Sequence, residues 1–508
     1  MDRELLKRQF LIALVTLLSI FGILFGAYLT IITPTAYTKF LAFLFLFSAV
    51  VAAFFNIMGA MYFYRSYNAP MPEMKSLKRF PTVAMVVVSY NEPVDMVEET
   101  LEKLKTVDYP RDKMNFYLLD DSTDKDIATR LADYCRKENV SFIHRTNRAG
   151  FKAGALNNFL KDANEEYIAI FDADEVLVDK SFLKETLGCF TNDKIAYVQT
   201  SKRYAKGSLF ADAVDSTFAF FSNFIQVSRN LDGMPMFAGS CGVIKREILE
   251  KLGGFDYSVV EDAAFSLKSD ANGYGGVFIP KIYALGKPIE NFTAFGAQQW
   301  RYNYGNTQLM SDYLANITKF NLRKQLGYLA FIFGLHYLSM LLIIFAVLSA
   351  LIAFANLKDV EAVYYTLVVY RNISIPLTLK FQLELLNVVT IFTTLFGVLL
   401  ISKIYFGSYR LGVHAYFLNF GVAFIRAKAA LAAIFSRVHQ FGVIKKNNSP
   451  RLPWYKALRL TWIETMFSSL LLVAGIVALI NSDWVSSFWL VWYSALFLSP
   501  FSLAFLRG

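Results

Sequence analysis

Two kinds of hydrophobic pattern alternate along the chain. Residues 10–64 and 328–505 carry long apolar runs, whereas 75–320 carry short ones broken by charged and polar positions. A membrane-spanning helix needs about 20 apolar residues. Phe10–Ile32, Phe40–Tyr64, Tyr328–Phe354, Leu385–Phe406, Leu460–Ile480 and Trp484–Phe505 meet that length, which predicts six spans. Leu411–Phe435 is also apolar, but His414, Asn419, Arg426 and Lys428 interrupt it. That interruption favours an amphipathic helix lying at the membrane interface, and residues 297–327 read the same way.

Between the second and third spans the period changes. Val83–Tyr90 is a continuous strand pattern, after which Met96, Val97, Leu101, Leu104 and Val107 recur at helical spacing. Phe116–Leu119, Val140–Ile143, Tyr167–Phe171 and Ile195–Gln199 predict further strands with helices between them. Such alternation predicts an α/β domain with a doubly wound, mostly parallel sheet. Ligands of these sheets bind beyond the carboxyl ends of the strands. The expected division is two spans in 1–74, the α/β domain in 75–296 and interfacial helices in 297–327. Two spans follow in 328–406, an interfacial helix and loop in 407–459, and two spans in 460–508.

Composition agrees with this division. Of the 508 residues 55% are hydrophobic and 18% charged, against about a quarter charged in soluble domains. The formal charge of +10 would suit nucleic acid, but the basic residues gather beside the apolar runs. Arg3, Lys7 and Arg8 precede the first span, and 403–459 is rich in Lys and Arg. By the positive-inside rule the chain is a multi-pass cell-membrane protein, with the N terminus, 65–327, 407–459 and the C terminus cytosolic. Membrane lipids, not nucleic acid, are the expected basic-patch partner. The first run is too long for a cleaved signal and lacks a small-residue cleavage site. Cys135, Cys189 and Cys241 are scattered, as are the four histidines, which argues against zinc.

The candidate chemistry lies at the predicted strand ends. The first strand runs into Ser89-Tyr90-Asn91-Glu92, the second into Asp120-Asp121, and the fourth into Asp172-Ala173-Asp174. Asp172 and Asp174 offer two hard oxygen ligands through which Mg²⁺ or Mn²⁺ could grip a diphosphate; the alternative is a pair of turn or N-cap aspartates. Asn147–Asn157 opens a helix with Gly150, Gly154, Arg148 and Lys152, either a phosphate contact or a flexible loop. Ala238–Gly242 is a small-residue turn before a predicted helix Lys245–Leu252, where Gly239 and Ser240 would let backbone approach a sugar. Glu261-Asp262 is either an N-terminal cap or a source of a general base for an acceptor hydroxyl.

Taken together, residues from about Pro81 to Gln308 resemble the GT-A catalytic domain of family 2 membrane glycosyltransferases, which include the cellulose, hyaluronan and chitin synthases. The resemblance rests on Asp120-Asp121, Asp172-x-Asp174, Glu261-Asp262 and Gln298-Gln299-Trp300-Arg301-Tyr302, followed by Gly305-Asn306-Thr307-Gln308. It implies a nucleotide-sugar donor bound by Asn91, Glu92, Asp120, Asp121, Lys152 and Asp172, with a metal on Asp172 and Asp174, chiefly Asp174. It implies Asp262 as catalytic base beside Glu261, and Gly239, Ser240, Gln298, Gln299, Arg301 and Tyr302 near diphosphate and acceptor. Phe441-Gly442-Val443-Ile444-Lys445-Lys446 is similar to the gating loop of cellulose synthases, with Phe441, Val443, Lys445 and Lys446 as the matching positions. Tyr302 stands where the family usually has Trp, and Ile444 replaces a Thr; neither change touches the core chemistry.

The resulting expectation is a hexosyltransferase, a processive polysaccharide synthase that takes a UDP-sugar by metal-dependent inverting transfer and exports its glycan. Addition of one sugar to a lipid acceptor is the alternative. A transport subunit without catalysis is more remote, because the predicted spans hold few ionisable residues.

Overall fold

The computed structural model describes residues 3–32, 36–334, 407–435, 452–480 and 484–507, with isolated positions at 340, 343, 347 and 403. Its centre is a seven-stranded sheet in the order β3-β2-β1-β4-β8-β6-β9. In chain order these strands are β1 (Val83–Ser89), β2 (Met114–Asp120), β3 (Ser141–His144), β4 (Tyr167–Asp172), β6 (Ile195–Thr200), β8 (Gly242–Lys245) and β9 (Gly275–Ile279). All neighbouring pairs are parallel except those of β8, which runs antiparallel to both β4 and β6. The sheet is thus mixed, and its parallel part follows the doubly wound expectation.

β1 shows why this sequence demands a sheet covered on both faces. Val83, Met85 and Val87 join one hydrophobic core, while Ala84 and Val86 join the other. A strand buried on both sides carries an unbroken apolar run rather than an alternating one. Helix Val94–Leu104 closes the first core with Val94, Val97, Leu101 and Leu104. Helix Phe151–Leu160 closes the second with Ala153, Ala155, Leu156 and Phe159.

A small sheet in the order β5-β10-β7, from Glu175–Leu177, Ala284–Gly286 and Arg203–Tyr204, extends the wall beyond β4. The loop after Ala238 leads first into β8 and only then into helix Arg246–Lys251, so the strand displaces the start of the expected helix Lys245–Leu252.

Among the described residues five helical stretches are long and apolar enough to cross a membrane: Glu4–Tyr28, Leu46–Arg65, Tyr409–Phe435, Trp462–Ile480 and Ser487–Ala504. Four coincide with expected spans. The fifth overlaps Leu411–Phe435, the stretch expected to lie at the interface: its length and apolarity are those of a span, broken at Val422 into helices Tyr409–Gly421 and Ala423–Phe435. The third expected span begins in a helix that runs from 322 to 334, and its remainder, apart from Met340, Ile343 and Val347, lies outside the described residues. Leu385–Phe406 does too, apart from Lys403, as does the gating-like segment with Phe441, Val443, Lys445 and Lys446.

Residues 297–327 begin inside one 25-residue helix, Phe292–Asn316, whose N-cap Asn291 accepts a bond from the Ala294 N–H at 2.8 Å. This helix packs along Ala423–Phe435, and its Gln298, Gln299, Asn303 and Asn306 are buried. Helix Ala36–Arg65 is clamped to the α/β domain by the paired bonds of Arg65 to Asp232, at 2.6 and 2.9 Å.

Candidate active site

The ends of β1, β2 and β4 open into one cavity of about 660 Å³. Glu92, Asp121, Lys152, Asp172, Asp174 and Lys202 line it from the sheet side. Gly239, Glu261, Asp262, Gln298, Arg301 and Tyr302 also line it, and it continues to Phe55, Met58 and Tyr62 of the second apolar helix. Most residues singled out from the sequence therefore converge.

Two do not line it. Asn91 has a positive φ of 49°, and its Oδ1 accepts the N–H groups of Thr123 and Asp124 at 2.9 and 3.1 Å. Its amide nitrogen donates to Thr123 Oγ1. Asn91 is a clip between two loops and does not line the cavity. Asp120 is fully buried, receiving the Ser122 hydroxyl at 2.6 Å and lying 2.9 Å from His144 Nδ1. It supports the turn that presents Asp121, which is the carboxylate reaching the cavity, held by Arg145 Nε at 2.8 Å.

Asp172 sits between two ammonium groups, Lys152 Nζ at 2.5 Å and Lys202 Nζ at 2.8 Å. Burial works to raise the Asp172 carboxyl, but the two lysines override it and hold it well below the usual carboxylate range. Lys202 also lies 3.2 Å from Glu175 and donates to Ser240 Oγ at 2.6 Å; that hydroxyl donates in turn to Glu175. Lys202 was not singled out from the sequence as a cation of the site. A lone lysine in Thr200-Ser201-Lys202 has no spacing signal, and only the small sheet brings it to Asp172.

Glu261 and Asp262 open helix Glu261–Ala271. Burial, then the Asp262 charge, pushes the Glu261 carboxyl up to about 7. Burial raises Asp262 as well, partly offset by the Ala263 N–H at 2.8 Å and by Lys152 and Arg301. Gly239 has φ 81°, and a Cβ there would stand 3.1 Å from Asp262 Oδ2, so a side chain would crowd the carboxylate. Burial works against the Arg301 charge; Tyr302, Glu261, Asp172 and Asp262 restore it. Gln298 donates to the Tyr204 hydroxyl at 3.0 Å, and Gln299 Oε1 receives Arg426. Tyr302 packs edge-on to Phe218 at 6.4 Å between centroids.

Among the described residues no three His, Cys, Asp or Glu side chains converge as metal ligands. Asp172 and Asp174 nevertheless line the same cavity. Mg²⁺ and Mn²⁺ are hard ions, and Mg²⁺ usually takes one or two protein carboxylates and completes its shell with substrate phosphates and water. The pair fits an ion that arrives with a diphosphate, not one caged by protein alone.

Residues 84–253 match the family model described as glycosyl transferase family 2. This segment is a family 2 glycosyltransferase domain. The domain and its surroundings are similar to the UDP-forming cellulose synthase catalytic subunit of Pseudomonas fluorescens (strain SBW25), 34% identical over 240 residues, 46% of this chain and 32% of that protein. The corresponding subunit of Xanthomonas axonopodis pv. citri (strain 306) is 29% identical over 274 residues, 52% of this chain and 36% of that protein. The chain thus spans about a third of the length of these relatives. A mannosyltransferase from Pyrobaculum calidifontis, solved with GDP-Man and Mn²⁺, aligns over 75% of this chain and 97% of its own. Its 21% identity and TM-score of 0.47 carry no functional conclusion.

The matched range of the glycosyltransferase domain contains Asp121, Lys152, Asp172, Asp174 and Lys202, while Glu261, Asp262 and Arg301 follow it. The acidic pair leaves a mark on stability. Between the ordinary Glu value near 4.5 and about 7 the folded domain holds a proton on Glu261 that the unfolded chain has lost. Stability of the ligand-free protein therefore falls as pH rises through that window and levels off above it. Glu261→Gln removes the penalty: its melting temperature is expected to exceed wild type by several degrees at pH 8 and to match it at pH 4.5. An equal difference at both pH values would show that Glu261 carries no such burden.

Proposed function

We propose that this chain is a membrane-embedded polysaccharide synthase that transfers a sugar from a UDP-sugar to a growing glycan with inversion, and passes the product into the membrane. The observation that carries this reading is the single cavity joining the acidic and cationic groups at the strand ends to the apolar helices. The names of the relatives, which form UDP, support the choice of nucleotide. The positive charge beside the spans supports a cytosolic position for the domain at the cell membrane.

In this reading Glu92 and Asp121 face the nucleoside, and Lys152, Lys202 and Arg301 face the diphosphate. Arg301 suits that role because its planar fork meets phosphate oxygens in pairs. Asp262 takes the proton of the acceptor hydroxyl as that oxygen attacks the anomeric carbon and the diphosphate departs from the opposite side. Its raised proton affinity makes it a stronger base than an exposed aspartate. Gln298 and Tyr302 orient the acceptor sugar. Held by Asp172 and Asp174, Mg²⁺ or Mn²⁺ would neutralise charge on the leaving diphosphate.

The test is nucleotide release by detergent-purified protein from a panel of UDP- and GDP-sugars, with Mg²⁺ or Mn²⁺ and then with EDTA, followed by sizing of the product. UDP release that needs metal and yields a high-mass glycan is the expected result. A product carrying one added sugar on a lipid would replace the polymer reading, and no release from any donor in folded protein with membrane lipid restored would sink the transferase reading.

A further inference from the structure

Among the described residues Arg426 is a buried charged group of the cavity lining to which the proposed chemistry gives no work. It belongs to helix Ala423–Phe435, within a stretch apolar enough to cross a membrane, and is only 4% exposed. Burying a cation there costs several kcal/mol unless an anion or a full set of acceptors compensates. Its partners are neutral. Nε and Nη2 donate to Gln299 Oε1 at 3.0 and 2.7 Å, Nη1 to the Asn419 carbonyl at 3.0 Å, and Nη2 to Asn419 Oδ1 at 2.9 Å. Among the described residues it forms no ion pair. A guanidinium has five N–H donors, so among the described residues these four bonds leave one on Nη1 unassigned.

Its position gives that charge a target. Arg426, Asn419 and Phe420 line the same cavity as Gln298, Gln299 and Tyr302. Gln299 binds Arg426 while its neighbour Gln298 faces Tyr204, so the helix that carries Arg301 also holds Arg426 in place. In the reading above Lys152, Lys202 and Arg301 already face the donor diphosphate, so a further cation, on a helix outside the α/β domain, is not needed there.

Resting on the transferase reading above, we propose that Arg426 is a specificity-determining residue that binds an oxyanion carried by the acceptor, a phosphate or carboxylate group. A guanidinium on an apolar helix suits a phosphate on a lipid; the same fork would hold the carboxylate of an acidic sugar. The charge thereby selects acidic over neutral acceptors, since leaving it unpaired beside a neutral one forgoes the compensation.

The test compares two matched pairs of acceptors on the full-length protein: polyprenyl monophosphate with polyprenol, and a uronate-ended oligosaccharide with its neutral counterpart. The readout is kcat/KM for sugar transfer, with thermal melting of each protein recorded alongside. Wild type is expected to prefer the acidic member of one pair by at least about tenfold. Preference in the first pair assigns a lipid phosphate, and in the second a glycan carboxylate. Arg426→Gln is expected to lower that acidic-to-neutral ratio about tenfold or more, and Arg426→Lys to keep part of it.

A ratio, unlike a rate, is not moved by a general loss of folded protein, so a merely structural arginine would leave it unchanged. Transfer by wild type without charge preference in either pair overturns the oxyanion site alone. An unchanged ratio in Arg426→Gln does the same. Absence of transfer to every acceptor overturns the transferase reading and the site together.

Discussion

Asp262→Asn is expected to slow sugar transfer by about 10²- to 10⁴-fold, the range supplied by a positioned general base. The substitution tests the chemistry with little disturbance of the fold. Asp262 Oδ1 accepts the N–H of Ala263 at 2.8 Å, and an asparagine oxygen can accept the same bond. The change also removes one of two carboxylates crowded at the start of helix Glu261–Ala271, where each suffers from burial. The variant should thus melt no lower than wild type at pH 8 while losing turnover. Turnover within threefold of wild type, measured as nucleoside diphosphate release, would remove Asp262 from the role of base.

The second large effect falls on a residue that no motif marked. Lys202→Met takes one cation from a buried set in which Asp172 lies 2.8 Å and Glu175 3.2 Å from the ammonium. Breaking one side of a buried ion pair leaves an uncompensated charge, at a cost of about 3–5 kcal/mol. In a domain of this size that corresponds to a fall in melting temperature of roughly 6–20 °C. Turnover should fall further than folding alone explains, since Lys202 also holds Ser240 against Glu175 in the cavity wall. Lys202→Arg, which keeps the charge, should recover most of the stability. A Lys202→Met protein that melts with wild type would show that Lys152 alone satisfies Asp172.

The α/β core was legible because it is written in local signals. β1, β2, β3, β4 and β6 were all expected to within a few residues, since each is a run of apolar residues bounded by polar or turn residues. The small strands β5, β7 and β10 span two or three residues and form only by pairing with one another across the chain, as Leu285 with Val176 and Arg203. No periodicity exists over such lengths. β8 was hidden behind the helix that follows it, and its antiparallel direction depends on where β4 and β6 leave room.

The same division runs through the site. Residue type and order marked Asp121, Lys152, Asp172, Asp174 and Asp262 as candidates, because carboxylates at the ends of buried strands and charges at helix starts are local features; Arg301 entered only through the family resemblance. Whether a candidate faces the cavity is a matter of side-chain partners. Asn91 and Asp120 pass every sequence criterion, yet their oxygens are taken by Thr123, Asp124, Ser122 and His144. In the other direction, Arg426 appeared as an interruption in an apolar helix and proved to be bound to Gln299, 127 residues away.

By itself, then, the sequence determined the alternation of strands and helices, the apolar segments and the chemical kind of the site, all of which follow from patterns within about twenty residues. Only the tertiary structure decided the mixed strand order, the pairing of Lys202 with Asp172 and the burial of Arg426. Those depend on contacts between distant segments, whose energies arise only once both partners have left water.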